Sequence, residues 1–403
     1  MKRRHKSATV ACLEKPKKNT VSRTYFFILL AGMTPTANAV TIDLPANFEL
    51  VGSAELEVQY NDNVSLTSQD RQDDWITRIS PSLEVSREGQ LTNLSSSFTL
   101  TRGHYLNGTR PEFTDYAADL GWQWRIGSLV ELRSTASYTD VAQSVTGNLD
   151  GELAPILIEA ERTRSPSGEI AIAVGRQGAR LQGLLRHGIR KSEFDDAVRN
   201  STAIYSGASG TYELNGILLV GMEAVKTDLA YVEVPQIPSR DSDEIQLMAT
   251  TEVRLPKTSI RLRGGRLRKN FSLDTRENFE GPRWDGRVSW SPKSYSTISF
   301  SIGKNVQESL GIASFIDVKS SSVTWTHQWG EALRSTFSHS ETQGEFVGTD
   351  RFDRVKRSSF SIGYRPIDWL SVRLGASILD SSTSINVFGL ENQQYFLGLE
   401  APL

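Results

Sequence analysis

From residue 51 onward, apolar and polar residues alternate in segments of about ten residues, the length a tilted strand needs to cross a bilayer. In the first segment Ala54, Leu56, Val58 and Tyr60 share one face, and Glu55, Glu57 and Gln59 share the other. The second sets Trp75, Thr77, Ile79, Leu83 and Val85 against Arg78, Ser80, Ser82 and Glu84. The period recurs in Leu120-Trp122-Trp124-Ile126, Ile170-Ile172-Val174, Leu218-Val220-Met222, Ile298-Phe300-Ile302 and Leu370-Val372-Leu374. It closes the chain in Tyr395, Leu397, Leu399, Ala401 and Leu403, a last strand with one apolar face. Soluble sandwiches alternate as well, so the connectors decide between the two architectures.

Those connectors alternate between short and long. Tight turns are expected at Glu88-Gly89, Gly127-Ser128, Arg176-Gln177-Gly178, Asn215-Gly216, Pro256-Lys257, Pro292-Lys293, Gly330-Glu331 and Pro366-Ile367-Asp368. Between them lie polar stretches near 61–73, 104–114, 140–158, 190–200, 227–242, 268–282, 304–316, 341–353 and 380–392. All turns then fall on one side of a sheet and all loops on the other. The pattern predicts an all-β transmembrane antiparallel β-barrel with short periplasmic turns and long extracellular loops. It counts about 18 strands, with 16 the alternative because residues 155–215 are weakly patterned. Tryptophans agree: Trp122, Trp124, Trp290, Trp325, Trp329 and Trp369 fall near short turns. Trp75 and Trp284, with Tyr60, Tyr116 and Tyr138, fall near long loops, giving the two aromatic girdles of a membrane barrel.

Composition narrows the compartment. Hydrophobic residues make up 38%, and the longest apolar run, Tyr25 to Met33, is too short for a spanning helix. That run follows a basic segment and precedes Ala37-Asn38-Ala39, which reads as a signal peptide over 1–39. A periplasmic lead is expected over 40–50 and the barrel over 51–403. Removing 1–39, with its eight Lys/Arg and one Glu, moves the formal charge from −2 to −9 and argues against nucleic-acid binding. The single cysteine, Cys12, lies in the removed segment, so thiol catalysis, disulfides and cysteine metal sites are excluded from the mature chain.

At the end of the first strand and just beyond it, Leu56-Glu57-Val58-Gln59-Tyr60-Asn61-Asp62-Asn63-Val64 resembles the aromatic-Asx-Asp-Asn-hydrophobic signature of the putative β-barrel porin type 2 family. Ile79-Ser80-Pro81-Ser82-Leu83-Glu84-Val85 is similar to that family's second strand. The resemblance implies a Gram-negative outer-membrane barrel, reached by Sec-type secretion, that helps pass an exopolysaccharide made for secretion and biofilm. It implies as partners the secreted polysaccharide and the upstream polysaccharide export and synthesis machinery. Outer-membrane lipid, lipopolysaccharide and the barrel-assembly machinery are expected partners of any such barrel. The terminal Leu403 stands where an aromatic residue is usual.

Inward side chains set what a barrel passes. Parity places Arg254, Arg261, Arg263 and Arg287 inward on three consecutive strands. Arg125 and Arg133 flank another turn, and Arg180, Arg186 and Arg190 share one face. Guanidinium forks bind carboxylate and phosphate, so these arginines are candidates to line the lumen. The competing reading pairs them with inward Glu252, Asp285 and Glu131. Acidic runs at Asp70/Asp73/Asp74, Asp195/Asp196, Asp241/Asp243/Glu244 and Asp274/Glu277/Glu280 are expected at the loops, without Ca²⁺-loop spacing. No cofactor or metal is expected. An outward Ser321–His339 pair raises an outer-leaflet lipid or ester hydrolase, but it lacks an orienting third residue. The sequence thus favours a non-enzymatic pore for exopolysaccharide, with a general or small-solute diffusion porin as the alternative and the hydrolase third.

Overall fold

A computed structural model describes residues 41–142, 162–175, 178–195, 197–235, 238–309, 313–384 and 389–402. The expected signal peptide, most of the 140–158 loop, the Arg176-Gln177 turn and Leu403 lie outside the described residues. In chain order the strands begin with β1 (Thr41–Leu44), β2 (Phe48–Asn61), β3 (Asp74–Glu88), β4 (Thr92–Tyr105), β5 (Phe113–Ile126) and β6 (Val130–Ala142). They continue with β7 (Arg162–Val174), β8 (Leu181–Phe194), β9 (Ser201–Glu213), β10 (Leu218–Tyr231), β11 (Ser242–Arg254) and β12 (Thr258–Phe271). The last are β13 (Phe279–Lys293), β14 (Ser296–Glu308), β15 (Phe315–Gln328), β16 (Leu333–Phe346), β17 (Phe352–Ile367), β18 (Leu370–Thr383) and β19 (Leu390–Pro402).

Each of β2–β19 pairs antiparallel with its neighbours in sequence, and β19 returns to β2, closing an 18-stranded barrel. Closure abolishes the free sheet edges that an open sheet would expose in lipid. The seam is a partial one. β19 covers Ser53–Asn61 of β2, and the short β1 folds back to cover Phe48–Val51 on the same edge. The wall therefore begins at Phe48 and takes in part of the lead expected over 40–50.

The turn pattern matches the expectation, with two adjustments. The turns near Pro292 and Pro366 come later, at residues 294–295 and 368–369, each after a register shift at the strand end. Loops are shorter than expected because the strands, 13–16 residues each, run on into the polar stretches. Pairing there outlasts the alternation of polarity, since a strand that leaves the hydrocarbon layer no longer needs one apolar face.

Register fixes which way every side chain points. Outward positions carry the exposed apolar residues, among them Leu56, Ile79, Leu120, Ile172, Leu185, Leu262, Phe300 and Leu374. Trp122, Trp124, Trp290 and Trp325 lie on that face near the turns, and Trp75, Trp284, Tyr60, Tyr116 and Tyr138 lie on it near the loops. Inward positions are mostly Ser, Thr, Gly and charged residues. Several hydroxyls pair across strands, as in Ser53–Ser82 at 2.7 Å, Ser137–Ser167 at 2.7 Å and Ser301–Ser322 at 2.8 Å. Where an inward aromatic ring faces a glycine in register, as Phe113 on Gly103, Tyr205 on Gly188 and Phe396 on Gly375, the ring fills the space a Cβ would take.

The loop ends are pinned from inside. Val64, in the loop after β2, packs on inward Ile76, Tyr105 and Phe113. Ala313 packs on Ile316, Val318, Phe346 and Val355. The Asn61-Asp62-Asn63 signature belongs to this layer and acts as a clasp on the seam. Asn63 is fully buried; its Nδ2 donates to the Thr67 and Glu391 carbonyls (2.8 and 3.0 Å), and its Oδ1 accepts from Thr67 N (3.1 Å). From β19, Asn392 Nδ2 donates to Asn61 Oδ1 at 2.5 Å and to Asn63 O at 3.0 Å. Gln393 N donates to Asp62 Oδ1 at 2.6 Å.

Candidate functional site: the lumen wall

Strand parity turns Arg125, Arg133, Arg186, Arg190, Arg254, Arg261, Arg263 and Arg287 into the barrel, and Arg180 sits in the turn before β8. Most are paired, and by the acids named from sequence. Glu131 holds Arg133 at 2.5 Å and Arg125 at 3.7 Å. Glu252 holds Arg254 at 2.6 Å and Arg261 at 2.7 Å. Asp285 holds Arg263 at 2.8 Å.

These pairs extend into a chain of alternating charge that no sequence pattern joins. Glu169 on β7 meets Arg186 on β8 at 3.9 Å, and Arg186 reaches Glu223 on β10 at 2.6 Å. Glu223 meets Arg263 on β12 at 3.5 Å, which ends on Asp285 of β13. Gly207, on the intervening β9, lets Arg186 cross: a Cβ there would lie 3.0 Å from the Arg186 Nε. Tyr205 donates its hydroxyl to Glu169 at 3.0 Å. Charges of opposite sign alternate along the chain, an arrangement that holds long side chains against the wall.

Four inward arginines stand apart. Arg190, Arg283, Arg287 and Arg357 form no ion pair among the described residues; Arg283 donates to Gln246 Oε1, and Arg190 and Arg287 are exposed to the lumen. Arg357 escapes a sequence reading because Arg354, Lys356 and Arg357 crowd one segment, and only register shows that Arg357 turns inward in line with its neighbours' hydroxyls. Cross-strand partners place Arg261 opposite Arg287, Arg287 opposite Ser301, Ser301 opposite Ser322, Ser322 opposite Ser340, and Ser340 opposite Arg357. The result is one continuous inward row over β12–β17: guanidinium, guanidinium, three hydroxyls, guanidinium. Neighbours in such a row lie about 5 Å apart at Cβ, within reach of one bound carboxylate or phosphate. The hydroxyls on either side repeat the theme, with Ser289–Ser299 and Ser338–Ser359 paired at 3.4 and 2.7 Å.

Away from this sector, beside the seam, acidic residues gather. Glu55 and Glu57 hold Arg373 at 2.6 and 3.4 Å, and Glu57 also holds Arg78 at 2.8 Å. The wall is thus unsymmetrical, with Arg190 on β8, Arg283 and Arg287 on β13 and Arg357 on β17 free of ion pairs among the described residues.

Several acids expected at the loops have structural partners. Asp74 is fully buried and accepts from Thr109 Oγ1 at 2.6 Å and Asn107 N at 2.9 Å. Asp241 caps Tyr231 N at 2.7 Å, and Glu244 holds the buried Lys269 at 2.7 Å. Among the described residues no group of three His, Cys, Asp or Glu could hold a metal ion. The outward His339 does face Val323 as expected, but its Nδ1 meets Ser358 Oγ at 2.9 Å rather than Ser321, which stands opposite Glu341.

Solved structures share this barrel fold. The barrel is similar to OccK2 (OpdF) of Pseudomonas aeruginosa in complex with glucuronate, at 12% identity and a TM-score of 0.50, over 89% of this chain and 98% of that one. The uncomplexed OccK2 (OpdF) gives 13% identity and the same score and coverage. OccAB3 of Acinetobacter baumannii gives 10% identity and 0.48, over 88% and 99%. No curated protein matches the sequence. Residues 46–402 match the family described as Putative beta-barrel porin 2, and the chain, an outer-membrane β-barrel porin, belongs to it.

Proposed function

We propose that this porin passes small hydrophilic solutes by diffusion and favours anions. The observation that carries the reading is the inward row Arg261–Arg287–Ser301–Ser322–Ser340–Arg357. An acid occupies Arg261, while Arg287 and Arg357 have no ion-paired acid among the described residues. An anion meets two uncommitted guanidinium groups linked by hydroxyls that exchange readily with water. Binding of this kind is strong enough to admit a carboxylate and weak enough to release it, the balance that conduction requires. The paired belt through Glu169, Arg186, Glu223, Arg263 and Asp285 holds the wall in shape and adds little net charge.

Small solutes suit this wall better than a polymer, because its arginines without ion pairs are confined to β8, β13 and β17 instead of forming a continuous track through the barrel. OccK2 was solved with glucuronate, so a carboxylated monosaccharide is the first solute to test. Proteoliposome swelling measures this directly. Glucuronate should enter faster than neutral glucose, and glucose faster than cationic glucosamine. Equal rates for all three would remove the anion preference. Loss of secreted polysaccharide on gene deletion, with solute uptake intact, would instead favour polysaccharide export.

A further inference from the structure

The outward face is divided by height. On its turn half, charged outward residues are few among the described strands, Arg87 and Lys293 being the examples. Toward the loops, charges appear on nearly every strand, beside or beyond the Trp75 and Trp284 level. One sector of this belt, on β12–β15, is unbalanced toward positive charge.

Arg266 and Arg268 point outward from β12, Lys304 from β14 and Lys319 from β15, against Glu280 of β13 and Asp317 of β15. Arg268 and Lys319 are exposed; Arg266 is 75% exposed and meets Glu280 only at 3.7 Å. Lys304 stands directly opposite Lys319, a like-charge pair that costs stability unless an anion intervenes. Asp317 engages Lys304 at 2.7 Å, and Lys319 has no ion pair among the described residues. Trp284 lies between the two groups of cations, opposite Gly264 on one side and Lys304 on the other. Turnward of it the outward face is apolar, with Leu262, Ile302 and Phe300 all exposed.

Cations above, an indole at the boundary and an apolar wall below match an amphiphile with an anionic headgroup and several acyl chains. We propose that this sector binds lipopolysaccharide through its phosphorylated, acylated glycolipid anchor. The phosphates sit among Arg266, Arg268 and Lys319, and the acyl chains lie along Leu262, Ile302 and Phe300. Guanidinium and ammonium groups supply the charge-assisted hydrogen bonds that phosphate requires. The site is independent of what the lumen passes.

The test uses the purified full-length barrel in detergent, with bisphosphorylated lipid A as probe and native mass spectrometry as readout. The triple variant Arg266→Gln/Arg268→Gln/Lys319→Gln should retain lipid A about a hundredfold less than wild type, given what each basic residue contributes at an anionic membrane surface. Lys191→Gln/Lys226→Gln, elsewhere on the same belt, should bind as wild type does. Wild type should also retain dephosphorylated lipid A far more weakly, a comparison that stands even if the triple variant folds poorly. Undiminished binding by a folded triple variant, equal retention of dephosphorylated lipid A, or equal displacement by phosphatidylglycerol would each overturn the proposal.

Discussion

Replacing Asn63 with alanine should loosen the barrel at its seam. Its side chain is fully buried and makes three hydrogen bonds, two to Thr67 and one to the Glu391 carbonyl across the seam. β19 reaches only Ser53–Asn61 of β2, so these bonds lie just beyond the end of the closing ladder. At about 1 kcal/mol net per bond, with three backbone groups losing their partner, the loss comes to about 3 kcal/mol. Asp62→Ala removes a single bond from a more exposed position and should cost about 1 kcal/mol or less. The assay is urea unfolding of the refolded protein in detergent, followed by tryptophan fluorescence and by the mobility difference between folded and heated protein on gels. Asn63→Ala/Asn392→Ala should cost less than the sum of its single variants, because Asn392 donates to Asn63 O within the same network. An Asn63→Ala protein within about 0.5 kcal/mol of wild type would refute the clasp, since that is the scatter of ordinary surface substitutions.

Other consequences concern the wall. Glu252→Gln should release Arg254 and Arg261 and move the reversal potential of single channels further toward anion selectivity. Gly188→Ala would place a Cβ 2.5 Å from the Tyr205 ring and 2.7 Å from the Gly168 carbonyl oxygen. It should lower the urea midpoint by an amount equivalent to about 1–3 kcal/mol.

Much of this barrel is legible in its sequence, for reasons that differ along the chain. Turn residues such as Asn215-Gly216 and Gly127-Ser128 mark sharp reversals, and Gly127 and Gly216 have φ of +67° and +72°, which favour glycine. Period-2 alternation assigns the faces, so Arg254, Arg261, Arg263 and Arg287 share one face on pattern alone, and in the pairing register that face lies opposite the one carrying Leu262 and Trp284. Strand ends are less legible. Lys304 to Glu308 and Glu341 to Glu345 resemble loop because their polarity no longer alternates, although they still pair. The clasp is recognisable as a motif, but its partner Asn392 lies 329 residues away from Asn63, beyond any local pattern. Nor can the belt from Glu169 to Asp285 be read locally, since its Arg186–Glu223 and Glu223–Arg263 links join strands two apart, across a neighbour whose register on both sides sets the contact.

The central claim, that unpaired arginines on a hydroxyl wall make this porin anion-favouring, is tested most directly by its reversal potential in planar bilayers under a KCl gradient. Wild type should reverse on the anion-selective side, and Arg287→Gln/Arg357→Gln should move the potential toward zero or past it with conductance largely retained. A wild-type channel that is cation-selective, or a double variant with an unchanged reversal potential, would contradict it.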